Sequence, residues 1–339
     1  MRGEIGWVCS YTPVEIISAS GFRPVRLATS SPLRTVQADA YLRSNLCPFV
    51  RGIFELLNSE GAPSLSGVVL TTSCDAMRRL ADALTLSSKL DYLYIIEVPR
   101  ASTESASSYF RHQLSLFRDS LKQRFGVRID DEIIWKEIRA YNRRRDTLRS
   151  IFLRLLDEGR GMGSFLPLLD RFFAGEEVEQ TEEKAVIASS ARDVEAGPSL
   201  LLSGSRIDQR ELILFIEELG GRISALDLCN GERGFDFRIP EEEDDPLIAL
   251  ASGYLSRPPC ARMGDITRRM RYLKELSLKR KVVGVIYHTI KFCDTQAYDL
   301  PLISSELALP LLHLETDCSS SFWGQLRTRI QAFIELLSG

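Results

Sequence analysis

Gly67-Val68-Val69-Leu70-Thr71-Thr72-Ser73-Cys74-Asp75 is the stretch on which the reading of the fold turns. Its first five residues form an unbroken apolar, β-branched run, the mark of a strand buried on both faces of a parallel sheet. Helical periodicity follows from Met77 to Leu86, then a second apolar strand from Tyr92 to Ile96. The same succession returns late in the chain. Gly284-Val285-Ile286 runs into Cys293-Asp294, and a helical segment and the strand Leu311–Leu314 follow. Both Cys-Asp pairs fall just past the carboxyl end of a buried strand, where open α/β sheets place their ligands. The echo implies twin α/β units facing a shared cleft.

Outward from these runs, Ile5–Val8 and Pro24–Leu27 read as short strands around a helix beginning near Pro13, and Pro48–Leu57 as a helix. From about Ser105 to Phe173 the pattern is helical almost throughout, and Asp130-Asp131-Glu132 opens one long helix with acidic residues where the dipole favours them. Arg143-Arg144-Arg145 on that helix reads as a solvated face, with a phosphate site as the alternative. Glu176 to Lys184 is polar and acidic without a core signal, which suggests a hinge or linker. In the second unit, Ser199–Leu202, Arg222–Leu226 and Val282–Tyr287 read as strands. Asp208–Leu219 is an amphipathic helix stopped by Gly220-Gly221, and Gln325–Leu337 closes the chain as a helix. The expected fold is α/β: two domains with parallel sheets flanked by helices, joined by a mainly helical middle region. The expected boundaries are 1–104, 105–195 and 196–339.

A chain of 339 residues exceeds one average core. Its net charge of −3 gives no basic field for nucleic acid. No run reaches the roughly 18–20 apolar residues of a membrane span, and no basic-then-apolar signal opens the chain, so a cytoplasmic location is expected. Seven cysteines, an odd number without export signals or any CxxC pair, argue against a disulfide framework and a zinc ribbon.

Cys47 precedes Pro48, which starts a helix, so the dipole and nearby N–H groups are expected to lower the thiol's pKa, with Arg51 adding positive charge. Cys47, Cys74 and Cys293 are thus three thiols at helix starts or strand ends. They admit three readings: buried small hydrophobes, a structural zinc with Cys9 as fourth ligand, or a [4Fe–4S] cluster with one iron left open.

Several motifs together resemble one family, the 2-hydroxyacyl-CoA dehydratase and benzoyl-CoA reductase subunits, which also contains the double-cubane cluster reductases. Gly6-Trp7-Val8-Cys9-Ser10-Tyr11-Thr12-Pro13-Val14-Glu15-Ile16-Ile17, continuing to Gly21-Phe22-Arg23-Pro24-Val25-Arg26-Leu27, is similar to its first motif. Ser44-Asn45-Leu46-Cys47-Pro48-Phe49-Val50-Arg51, Thr71-Thr72-Ser73-Cys74-Asp75-Ala76 and Lys291-Phe292-Cys293-Asp294 resemble the next three. Leu314-Glu315-Thr316-Asp317 and Gly324 to Glu335 resemble its ending, and Cys229-Asn230-Gly231 looks related too.

The resemblance implies that Cys47, Cys74 and Cys293 ligate a [4Fe–4S] cluster beside a cleft for an acyl-CoA. It further implies radical elimination of water from an (R)-2-hydroxyacyl-CoA by one-electron reduction of the thioester. The partners implied are a homologous subunit, as homo- or heterodimer, and an ATP-dependent iron–sulfur activator; the chain itself carries no GxxxxGK[ST] phosphate loop. One alternative is a low-potential reductase with a double-cubane [8Fe–9S] cluster; Cys9, Cys229, Cys260 and Cys318 lack motif contexts, which favours the single cluster. Another is a non-catalytic cluster-bearing partner subunit, suggested by the short stretch ahead of the first motif. Glu15 is the acid/base candidate by its place in that motif, against a helix-start carboxylate. Ser10 and Tyr11 are candidate hydrogen-bond donors to substrate or sulfide, against local capping. Arg327 and Arg329 are candidates for CoA phosphates, against structural ion pairs. His288 reads as a satisfied core residue.

Overall fold

Two parallel sheets wound the same way organise the computed structural model, which describes residues 2–29, 33–87, 90–190, 197–319 and 323–339. The first sheet holds β1 (Glu4–Trp7), β2 (Arg23–Arg26), β3 (Gly67–Thr71) and β4 (Leu93–Ile96), in the order β2-β1-β3-β4. The second holds β5 (Ser199–Gly204), β6 (Arg222–Asp227), β7 (Gly284–Ile290) and β8 (Leu311–Thr316), in the order β6-β5-β7-β8. Every residue of β3, β5 and β7 is buried, as continuous apolar strands require when helices cover both faces. Most strands sit within a residue or two of their expected places. β7 runs three residues further, because pairing with β8 continues as far as Ile290 opposite Thr316.

Three helices, Glu104–Phe125, Asp131–Asp157 and Phe165–Phe173, fill the middle of the chain. Thr103 caps the first by accepting the Ala106 N–H, and Gly126, in the left-handed region at φ 62°, ends it. Asp130 caps the second by accepting the Ile133 N–H at 3.0 Å. The largest apolar core runs from Ile5 in the first sheet through Phe117, Ile138 and Phe165 to Leu200 and Phe235. The middle helices therefore share a core with both sheets. The boundary expected at 195/196 lies outside the described residues.

Two features of this region differ from their sequence pattern. Residues 176–184 are not without core contacts: a 3₁₀ turn at Gln180–Glu182 leads into the helix Glu183–Ser189, and Val178 and Ile187 are buried. A reciprocal capping box between Glu179 and Glu182 supplies the order that hydrophobicity alone does not signal. Nor is the arginine run a solvated face. Arg143 is exposed, but Arg144 and Arg145 are buried. Arg144 pairs with Glu177, its Nε 2.8 Å from Glu177 Oε2, and stacks on Tyr141.

Arg145 explains the fate of Glu15. The short helix Val14–Ala19 packs on the long helix and sets the fully buried Glu15 carboxylate 2.5 Å from Arg145 Nη2. Tyr254 donates to the same carboxylate at 2.8 Å. Removing one partner of such a pair strands the other charge in the interior, at about 3–5 kcal/mol. Glu15→Gln is therefore expected to lower unfolding free energy by about 3–5 kcal/mol in denaturant titration. A loss below about 1 kcal/mol would contradict the buried ion pair.

Candidate metal centre

Parallel strands joined by helical crossovers end on one edge, and the strand order reverses between β1 and β3 and again between β5 and β7. Such switch points open a crevice at the carboxyl ends. Here one cavity of about 140 Å³ collects the residues that follow those strands. Cys9 and Ser10 follow β1, Cys74 follows β3, Ser205 and Arg206 follow β5, and Cys293 follows β7.

Six cysteines line this cavity: Cys9, Cys47 and Cys74 from the first half, Cys229, Cys260 and Cys293 from the second. Cys318 is buried in the same apolar cluster as Cys47. Cys47 N-caps the helix Pro48–Asn58, whose Val50 and Phe49 N–H groups act to lower the thiol's pKa. Cys74 precedes the helix Asp75–Ser87, whose Met77 N–H acts to lower the thiol's pKa. Cys293 N-caps the helix Asp294–Leu307, and Phe292, in the left-handed region at φ 62°, turns the chain into it. Among the described residues no three His, Cys, Asp or Glu side chains gather closely enough to share one metal ion. A tetrahedral zinc needs each thiolate about 2.3 Å from a single ion. A multi-iron cluster takes its thiolates at different irons and suits a wider ring.

The expected lowering of the Cys47 pKa is not what the site does. Burial pushes Cys47 up to about 12, with Cys293 and Cys74 reinforcing it, and the two N–H groups do not compensate. Burial raises Cys74 to about 12 as well. Arg51 adds little, since it pairs with Asp39 and donates to the Ser44 carbonyl at 3.3 Å. Cys229 behaves oppositely: burial raises it, but Arg26, Arg206 and Arg233 together hold it below its ordinary value. Arg26 Nη2 lies 3.1 Å from its sulfur.

The remaining wall is part apolar and part cationic. Val8, Phe49, Val50, Met77 and Ile290 supply the apolar surface, and Arg26, Arg206 and Arg262 the guanidiniums. Tyr11 is buried between Arg257 and Arg262, whose guanidinium carbons lie 4.9 and 4.8 Å from its ring centre, and its hydroxyl has no partner among the described residues. Ser10 lines the cavity and its carbonyl accepts from Arg257. Glu15 points elsewhere, into the ion pair with Arg145.

A family model described as 2-hydroxyglutaryl-CoA dehydratase, D-component, matches residues 9–337. The chain belongs to this dehydratase family. Its relatives include the (R)-phenyllactyl-CoA dehydratase beta subunit of Clostridium sporogenes, 25% identical over 98% of this chain and 91% of that protein. The (R)-2-hydroxyglutaryl-CoA dehydratase subunit beta of Acidaminococcus fermentans is 22% identical over 99% and 93%. One subunit of the benzoyl-CoA reductase of Thauera aromatica is 24% identical over 98% and 90%.

For this dehydratase-family chain, motif reading leaves Cys260, Arg206 and Arg262 without a role, and gives Cys229 no more than a related look. A signal does exist. Asp245-Pro246 marks the start of the helix Pro246–Ser256, with Asp245 accepting the Leu247 N–H at 2.7 Å. The stretch Arg257-Pro258-Pro259-Cys260-Ala261-Arg262 then returns to the cavity before the helix Ile266–Lys279. His288 is held by Thr316 Oγ1 at 2.8 Å, and burial lowers its pKa to about 4, so it is a neutral core residue. Arg327 reaches Glu218 at 3.9 Å and Arg329 donates to the His313 carbonyl at 2.7 Å. No helix among the described residues is long and apolar enough to cross a membrane.

The raised thiol pKa values have a measurable consequence. In metal-free protein at pH 8, iodoacetamide is expected to label Cys47 and Cys74 far more slowly than a free cysteine, because the thiolate is the nucleophile. Peptide mass mapping reads this directly. Rates matching a free cysteine would contradict the protonated state.

Proposed function

We propose that this chain is the iron–sulfur component of an enzyme that acts on acyl-CoA thioesters by low-potential one-electron chemistry. One observation carries the reading: six thiols, three from each half, around a single cavity at the switch points of both sheets. Thiolates are the ligands that iron–sulfur clusters take. Six of them at one cavity favour the double-cubane [8Fe–9S] group, and with it a reductase. Cys47, Cys74 and Cys293 would hold the part next to β3 and β7, and Cys9, Cys229 and Cys260 the other.

When bound, such a group supplies single electrons at low potential and an iron able to meet a substrate oxygen. The chain's own residues supply the setting. Phe49, Val50, Met77 and Ile290 line the cavity with apolar surface. The Tyr11 hydroxyl and Arg206 Nη1, both buried and without partners among the described residues, are donors held ready for an acceptor in that space. Ser10 is carried on the same turn as Tyr11, with its carbonyl fixed by Arg257. In this reading Glu15 is a positioning residue, tying the turn to the long helix through Arg145.

A second reading rests on the relatives. Two of those described are beta subunits of 2-hydroxyacyl-CoA dehydratases. In it the chain holds one [4Fe–4S] cluster through Cys47, Cys74 and Cys293 and removes water from a 2-hydroxyacyl-CoA beside a homologous subunit. Both readings place ATP use in a separate activator.

Iron and sulfide analysis of anaerobically purified protein separates them. The six-thiol group predicts about eight irons per chain, with Cys229→Ser and Cys74→Ser each sharply reducing the count. About four irons, lost in Cys74→Ser but retained in Cys229→Ser, would favour the single-cluster dehydratase. Absence of iron after anaerobic reconstitution, or zinc in its place, would defeat both.

A further inference from the structure

Charge at this cavity does not balance. Arg26, Arg257 and Arg262 are 8%, 2% and 5% exposed, and none of them meets a carboxylate among the described residues. Arg26 donates to the Val8 carbonyl at 3.2 Å, the Cys229 carbonyl at 2.8 Å and the Cys229 sulfur at 3.1 Å. Arg257 donates to the carbonyls of Ser10 and Arg233. Arg262 donates to Ser73, Val98 and Pro99 carbonyls, at 3.1, 2.9 and 3.3 Å. Carbonyls satisfy the hydrogen bonds but cancel no charge.

The other buried arginines nearby are different. Arg206 has Asp208 at 2.6 Å, and Arg233 and Arg269 are matched by Asp227 and Asp299. Burying a cation without a counter-charge carries a large desolvation cost even after relaxation. Asp208, already paired with Arg206, also acts on Arg26, but three such cations beside one cavity, with Arg26 and Arg262 in its wall, still favour an anion in that space. A thiol in its protonated form is not one. An iron–sulfur group carrying several thiolates is, because each thiolate brings a full negative charge that the core only partly offsets.

Resting on the iron–sulfur reading above, we propose that Arg26, Arg257 and Arg262 are the built-in counter-charge of the cavity's anionic group, and that they raise its reduction potential. The direction follows from electrostatics. Reduction adds one negative charge, so a fixed positive charge nearby favours the reduced form more than the oxidised one. Two of the guanidiniums sit on the Cys9, Cys229 and Cys260 side: Arg26 bonds Cys229, and Arg257 acts electrostatically on both Cys9 and Cys260, while Arg262, two residues from Cys260, also bonds the Ser73 carbonyl beside Cys74. Electrons are therefore drawn toward that side. The arginines make it the more easily reduced end, and leave the Cys47, Cys74 and Cys293 side, where burial is mostly apolar, as the stronger reductant.

The test compares Arg262→Gln with Arg262→Lys, and Arg26→Gln with Arg26→Lys, each purified anaerobically beside the wild type. Both members of a pair lose most of the guanidinium's hydrogen bonds, but only the lysine keeps the charge. Iron per chain is measured first, then the midpoint potential by titration followed with electron paramagnetic resonance. The expected result is full iron in the lysine variants with a potential near the wild type, and a lower potential in the glutamine variants. Loss of iron in glutamine variants alone would support the same role. Equal potentials, or equal iron loss, in the glutamine and lysine members of both pairs would overturn it, since a structural strut does not depend on charge. A wild type without iron would refute the iron–sulfur reading itself, which sets that failure apart.

Discussion

Everything at the cavity depends on a topological constraint. A parallel strand can be followed by another only after a crossover, so the chain must return to the same starting edge each time. All strand-to-helix turns of a sheet therefore gather at its carboxyl edge. This chain obeys the constraint twice, with the same strand order, and the turns after β1, β3, β5, β6 and β7 all contribute to one cavity wall. Residues hundreds of positions apart become neighbours without any local signal between them. The helices that follow β3 and β7 begin where Cys74 and Cys293 sit, so strand end, thiol and helix start coincide.

The second organising element is arginine used as a strut. Arg206 donates to the Leu27 carbonyl across the halves at 3.2 Å, and Arg26 answers from the other side with the Cys229 carbonyl. Arg257 holds Ser10, and Arg262 clamps the loops after β3 and β4. Hydrogen bonds from a charged donor are worth about 1.5–3 kcal/mol each, more than neutral ones. The planar guanidinium also stacks, as Arg257 and Arg262 both do on Tyr11 and Arg206 on Phe49 at 4.0 Å. The motif turn Cys9–Thr12 is thereby fixed by groups remote in sequence.

How much of this is legible follows from what a sequence can display. β3 and β7 announce themselves because burial on both faces leaves an unbroken apolar run, and the paired Cys-Asp sites come with them. The long helix is written in Asp130 and its periodic apolar residues. Arg144 and Arg145 defeat a local reading because a buried cation looks like a surface one until its partner is known, and Glu15 lies 130 positions from Arg145. The Cys47 pKa escapes for a related reason: a helix start is visible locally, but desolvation belongs to the assembled core. Cys260 has no motif context, and its one local cue is the Asp245-Pro246 helix start, after which the chain returns to the cavity through Pro258 and Pro259.

The even division of thiols between the halves gives the molecule an assembly problem. Neither half alone presents more than three of the six sulfurs, so a group spanning all six is gripped only after both halves have met. On the proposed iron–sulfur reading, occupancy would work as a clasp: a group bridging the sulfurs would resist separation of the sheets, and separation of the sheets would release it. On the proposed reading, a bulky thioester would have to enter beside that clasp, with the two halves closed upon it.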